Sequence, residues 1–301
     1  MPTPTSSSPP ASGSPTTSPG TVRIEVARSP IRLPSGRSRA VALVLGPELL
    51  LCGGLTSGGT TGSILQIDVQ SNRVSSLGTL SAAVHDAGGA VLDGRGYVIG
   101  GGQAVAGSTI QQIASVGSAT TVGQLPAARA DLAAVSVAGE IVVVGGGTPA
   151  RPDDRVLATM DGRHVRSLGR LLVAVRYPAV AVLGGLVYVI GGSTLSGDTR
   201  VIQAVDPASG VVRIVGYLPH PLSHASGLVI GDTVLVAGGR SAGRAQDQLL
   251  EFTVASGAVK AVGRLPYPVS DMAAVVVDGV GYLIGGETFG PIATVITVSV
   301  D

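Results

Sequence analysis

The chain has 301 residues, with 20 basic and 19 acidic side chains and a formal net charge of +1. That balance excludes the electrostatic footprint of a nucleic-acid-binding protein or of one held to an anionic membrane. A single cysteine, Cys52, excludes an intramolecular disulfide and any cysteine metal cluster.

Residues 1–20, MPTPTSSSPPASGSPTTSPG, hold almost nothing but Pro, Ser, Thr and Gly. Such a stretch buries no apolar surface and is expected to be a disordered stalk. The stretch itself holds no charged and apolar signal segment. Stalks of this kind join an anchor to an envelope domain, so export to the cell envelope is expected, with a cytoplasmic location as the alternative.

Residues 21–301 are expected to form one domain. Thr21-Val22-Arg23-Ile24-Glu25-Val26 reads as a strand and leads to Leu33-Pro34. A small-residue strand follows, then Leu49-Leu50-Leu51-Cys52, apolar on both faces and ending at Gly53-Gly54. Cys52 there reads as a small buried hydrophobe. Next come a variable loop, the strand Ile64-Leu65-Gln66-Ile67-Asp68, a hairpin, a fourth strand and Leu80-Ser81.

This order then repeats. Glycine doublets begin at residues 53, 100, 145, 191, 238 and 285, at intervals of 47, 45, 46, 47 and 47. The Leu-Pro marker or its equivalent begins at residues 33, 80, 125, 171, 218 and 265, with the same intervals. Turn pairs such as Asp93-Gly94 and Asp278-Gly279 suit two-residue hairpins. Four short strands per unit of this length predict an all-β, six-bladed β-propeller of four-stranded blades. Residues 171–192 are apolar apart from Arg176, but Pro178 and the glycines break them, and the pattern recurs in every unit. A buried strand pair accounts for them better than a membrane helix of about 20 residues. The last unit lacks a fourth strand. The strand at residues 21–26 precedes Leu33-Pro34 as Val211–Val215 precedes Leu218-Pro219. It is therefore expected to complete the C-terminal blade and close the ring.

Stepping back 14 residues from each doublet gives Arg39, Asp86, Asp131, Tyr177, His224 and Asp271, all polar or ionisable. These positions start the first strands and should surround the mouth of the central channel, where propellers bind ligands. The ring offers carboxylates and an imidazole for a cation, an amine or a polyol, and its carboxylate–imidazole pairs suit acid/base chemistry. The recurrence is equally consistent with structural bonds to neighbouring blades. Arg37, Arg129, Arg176 and Arg240 add a possible arginine-rich mouth able to grip carboxylates. Arg240 and Glu287, two residues past the doublet in adjacent blades, read either as part of that mouth or as a salt bridge. Of the other histidines, His164 lies in an outer hairpin with no evident partner, and His220 stands next to Pro221 and is expected to be solvated. No nucleophile elbow, phosphate loop or dinucleotide fingerprint is present. No metal or other cofactor is expected.

The unit resembles the kelch repeat. Arg37 and Arg129 match its arginine, Tyr97, Tyr188 and Tyr282 the tyrosine before the doublet, and Asp68 and Asp206 the acid ending the third strand. The resemblance covers residues 21–301 and departs in lacking Trp. It implies either a non-catalytic binding, scaffold or sensor propeller or a carbohydrate-active enzyme of the epimerase or mutarotase kind using ring His and Asp. Copper chemistry like that of galactose oxidase needs a thioether-forming cysteine, and Cys52 is in a core strand. The first reading is preferred: a monomer binding an unidentified protein or small polar ligand, with Arg37, Arg39, Asp86, Arg129, Asp131, Arg176, Tyr177, His224, Arg240, Asp271 and Glu287 at the mouth.

Overall fold

Short strands of about five residues, many of them ending in a turn that a glycine permits, set the architecture seen in the computed structural model, which describes residues 23–114 and 117–300. The stalk assigned to residues 1–20, and Thr21 and Val22 of the first strand, lie outside the described residues. Six four-stranded antiparallel sheets form the blades of a β-propeller. No helix among the described residues is long and apolar enough to cross a membrane.

Blade 1 runs through Val41–Leu45, Glu48–Cys52, Ser63–Asp68 and Arg73–Thr79, hydrogen-bonded in that order. Blades 2 to 5 repeat it, beginning at Gly88–Leu92, Ala130–Val137, Ala179–Leu183 and Ser226–Ile230. Blade 6 takes Ala273–Val277, Val280–Ile284 and Thr294–Val300 from the C-terminal end and Ile24–Arg32 from the N-terminal end. Ile24 pairs with Val300 and Val26 with Val298, antiparallel, and the register shifts between Arg28 and Arg32. The expected closure is therefore observed, with a strand longer than the pattern alone suggested. Both central residues of the Asp93-Gly94 and Asp278-Gly279 turns have positive φ, as a two-residue hairpin that follows the strand twist requires.

The core is six layers, each filled by two adjacent blades, and the layer between blades 6 and 1 joins the chain ends through Ile31, Leu33, Leu49 and Ile284. The second strands are buried on both faces, as Leu50 and Leu51 show at 0 % exposure, which is why they read as unbroken apolar runs.

The doublets clamp one blade to the next. The N–H groups of Gly54, Gly101, Gly146, Gly192, Gly239 and Gly286 donate to the carbonyls of Val84, Arg129, Val175, Leu222, Val269 and Arg37 at 2.8–2.9 Å. The last of these bonds crosses from blade 6 to blade 1 and closes the belt.

Candidate functional site at the channel mouth

Inside that belt lies a second one. The N–H of Arg39 donates to Asp271, Asp86 to Arg39, Asp131 to Asp86, Tyr177 to Asp131, His224 to Tyr177 and Asp271 to His224, each to the backbone carbonyl, at 2.8–3.1 Å. All six residues have φ between 52° and 60°, the left-handed region in which Asp, Asn and His are enriched among side-chain-bearing residues. Backbone conformation therefore accounts for part of the polar column. It does not account for Arg39 and Tyr177, larger side chains for which this conformation costs of order 1 kcal/mol or more.

The six side chains line a cavity of about 110 Å3. Arg39 donates to Asp86 at 3.1 Å and to Glu287 at 3.3 Å, and stands 3.8 Å from Asp271. Arg176 pairs with Asp131. His224 Nδ1 lies 2.6 Å from Asp271 Oδ1, and its ring stacks on Tyr177 with centroids 3.7 Å apart. Arg240 reaches Asp271 and Glu287, each at 3.4 Å, so the Arg240–Glu287 bridge forms. The Asp131 and Asp271 side chains are only 2 % and 3 % exposed.

Burial first, and then the negative charges of Asp131 and Asp271, push the Asp86 carboxyl up to about 7 against the pull of Arg39. Burial also works against ionised Asp271, but the His224 hydrogen bond and the charges of His224 and Arg39 outweigh it and hold this carboxyl below its ordinary value. Arg39 is held charged more firmly than usual because Asp86, Asp271 and Glu287 outweigh its burial. Burial and the carboxylates of Asp86 and Asp131 raise the Tyr177 hydroxyl. Burial and the Arg39 charge lower the His85 imidazole, which bonds Thr60 Oγ1 through Nδ1 at 2.9 Å.

Two of the arginines expected at the mouth are elsewhere. Arg37, 4 % exposed, donates to the hydroxyl and carbonyl oxygens of Ser63. Arg129, fully buried, donates to the carbonyls of Gly145 and Arg155 and pairs with Asp153 at 2.7 Å. Both tie the chain entering a blade to that blade's own loop or third strand. The mouth is consequently not arginine-rich: three guanidinium groups (Arg39, Arg176, Arg240) face four carboxyl groups (Asp86, Asp131, Asp271, Glu287).

Sequence reasoning missed Ser270. Its hydroxyl accepts from Arg240 Nε at 2.9 Å and donates to Asp271 Oδ2 at 2.7 Å; its signal was its place one residue before a ring position. His164 has a partner after all, Asp161 at 2.7 Å. His220 is half-buried against Gln248 at 3.1 Å. A larger hollow of about 570 Å3 lies in the outer loops around Thr148, Arg151 and Asp153, where the acids are taken by Arg155 and Arg170. Among the described residues no group of three or more His, Cys, Asp and Glu side chains is placed to hold a metal ion.

No family model matches the chain. No curated protein matches it either. Among solved structures, one titled "Structure of YjhT" superposes with a TM-score of 0.76 over 91 % of this chain and 99 % of that one, at 15 % identity. The likeness is one of fold.

Proposed function

We propose that this chain is a binding propeller of the kelch type, non-catalytic, whose channel mouth recognises a small polar group, either free or presented by a protein. One observation carries the reading. The charged side chains of the mouth are paired with one another around a cavity of about 110 Å3, well below the roughly 300–1,000 Å3 of ordinary substrate pockets. Such a site is preorganised to accept a ligand group without rearrangement. An acidic partner segment is disfavoured there, because carboxyl groups outnumber guanidinium groups. The proposal extends to display on the cell envelope, supported by the composition of residues 1–20.

A second reading, a carbohydrate-active enzyme of the epimerase or mutarotase kind, is favoured by the Asp86 carboxyl. At about 7 it matches what a general acid or base needs near neutral pH. One pair of measurements separates the two. Thermal unfolding of wild type and of His224→Asn, run with small amines, polyols and carboxylates, should show stabilisation by one class and its loss in the variant. Sugar anomerisation followed with wild type and Asp86→Asn should proceed at the uncatalysed rate in both. Wild-type catalysis abolished by Asp86→Asn would replace the binding reading with the enzymatic one.

A further inference from the structure

Blades 1 and 3 carry the same buried arginine and differ in what faces it. Arg37 and Arg129 each stand 16 residues before the glycine doublet of their unit, and Thr61 and Asp153 each stand eight residues after it. The N–H groups of Thr61 and Asp153 donate to the carbonyls of Gly54 and Gly146 at 3.0 and 2.7 Å, so the two positions are equivalent in the fold as well as in sequence. Both guanidinium groups send Nη1 to the carbonyl that opens the third strand, Ser63 in blade 1 at 3.4 Å and Arg155 in blade 3 at 3.0 Å.

The counter-charge is present in one blade only. Arg129 pairs with Asp153 at 2.7 Å. Thr61, in the place of Asp153, carries no charge and ends one bond shorter. Its hydroxyl is used locally: it accepts the Ser63 N–H at 3.1 Å and donates to the Ser63 hydroxyl at 3.2 Å. Arg37 is 4 % exposed, and among the described residues no carboxylate pairs with it. The ionisable group beside it is Cys52, whose thiol burial pushes up to about 12 against the pull of Arg37, so it stays neutral. Arg37 is thus a buried cation without an anion, an arrangement that desolvation makes costly.

The edge left open is the one that takes carboxylates elsewhere in the molecule. Arg39 sends Nε and Nη2 together to Glu287, each at 3.3 Å, and Arg155 sends the same pair of nitrogens to Asp153. This edge offers two parallel N–H donors to a carboxylate. At Arg37, Nη2 meets only the Ser63 hydroxyl, at 2.7 Å, and Nε is buried with no partner. Because Arg37 and Thr61 both donate to Ser63 Oγ, the Ser63 hydroxyl proton is left to donate as well. Thr61 and Ser63 are part-exposed, which opens a route from solvent to this edge.

We propose that the open edge of Arg37 binds a small monocarboxylate, of formate or acetate size, which supplies from outside the carboxylate that Asp153 supplies within blade 3. The anion accepts from Arg37 Nε and from the Ser63 hydroxyl, beside Thr61. This site belongs to the loop of blade 1, apart from the channel mouth, and goes beyond the binding reading above.

The test is isothermal titration and thermal unfolding of the full chain with formate, chloride and formamide, at an ionic strength held constant with a bulky organic sulfonate. Formate should bind one to one near about 1 mM, close to the limit for so few atoms, and should raise the unfolding midpoint as its concentration rises. Chloride, which has a single centre, and formamide, which has the shape without the charge, should bind at least about tenfold more weakly. Thr61→Asp places a carboxylate there permanently. It should weaken formate binding at least about tenfold and, without formate, unfold at a higher midpoint than Thr61→Asn, which has the same size and no charge. Wild-type heat and midpoint that ignore formate up to about 50 mM would overturn the proposal whether or not the variants fold. Equal affinity for chloride or formamide would overturn it too, as would formate binding that survives in Thr61→Asp or equal midpoints for the Asp and Asn variants.

Discussion

At Gly54, Gly101, Gly146, Gly192, Gly239 and Gly286 a side chain is excluded twice over. Each has φ between 77° and 105°, and a Cβ at each would lie 2.6–2.8 Å from the carbonyl oxygen of the residue just before its ring position. The same residue sends its N–H to the next blade, so strain there loosens an inter-blade clamp as well as a turn. Gly239→Ala should destabilise the protein by roughly 2–3 kcal/mol. Gly184→Ala, at φ 59° with nothing within 4 Å of the added carbon, should cost only about 1 kcal/mol. Chemical denaturation of the two variants checks this, and equal losses would show that the clamp contributes little. Residue-scale reasoning went wrong at Arg37. It stands two positions before Arg39 in sequence, yet its side chain turns into its own blade toward Ser63. Side-chain direction there is set by backbone angles that a pattern of residue types does not encode.

Among the elements, Ile24–Arg32 has the largest consequence, because among the described residues it is the only strand that joins distant parts of the chain into one blade. Without it Thr294–Val300 becomes an exposed edge with unpaired N–H and C=O groups. Burial of Ile31, 1 % exposed, is alone worth roughly 1.5–3 kcal/mol. Deleting Ile24–Arg32 should lower the unfolding midpoint markedly and promote self-association, measurable by calorimetry and light scattering. An unchanged midpoint would refute the role of this strand in closure. The expectation was available beforehand because strand periodicity and a missing fourth strand are both local patterns. The strand's extension to Arg32 was not, since the residues after Val26 break the alternation and are held by a register shift against the last strand.

For the whole molecule, ring closure buries several carboxyl groups together on the axis, and stability should record it. A carboxyl raised from the unfolded value of about 3.9 to about 7 binds its proton more tightly in the folded state. The stability that Asp86 contributes is therefore fully present below about pH 3.9 and is lost as pH rises through about 7. Asp86→Asn removes this dependence. The stability difference between variant and wild type should shift in the variant's favour from about pH 4 to about pH 7 and level off above. Denaturant unfolding of both across that range checks it, and a constant difference would show that Asp86 titrates normally.

The sequence by itself determined the number of blades, the partner of the last strand and which six residues surround the axis. Each depends on a short-range constraint repeated six times: a glycine with no room for Cβ, a strand apolar on both faces, a left-handed residue at a fixed distance from the doublet. Only the tertiary structure decided which charges meet. Arg39 bonds Glu287 across 248 residues, and His224 bonds Asp271 across 47. Those pairings, the diversion of Arg37 and Arg129 into their own blades, and the excess of carboxyl over guanidinium groups arise when side chains from different blades converge on one axis. Their directions in space, which no local pattern carries, fix the outcome.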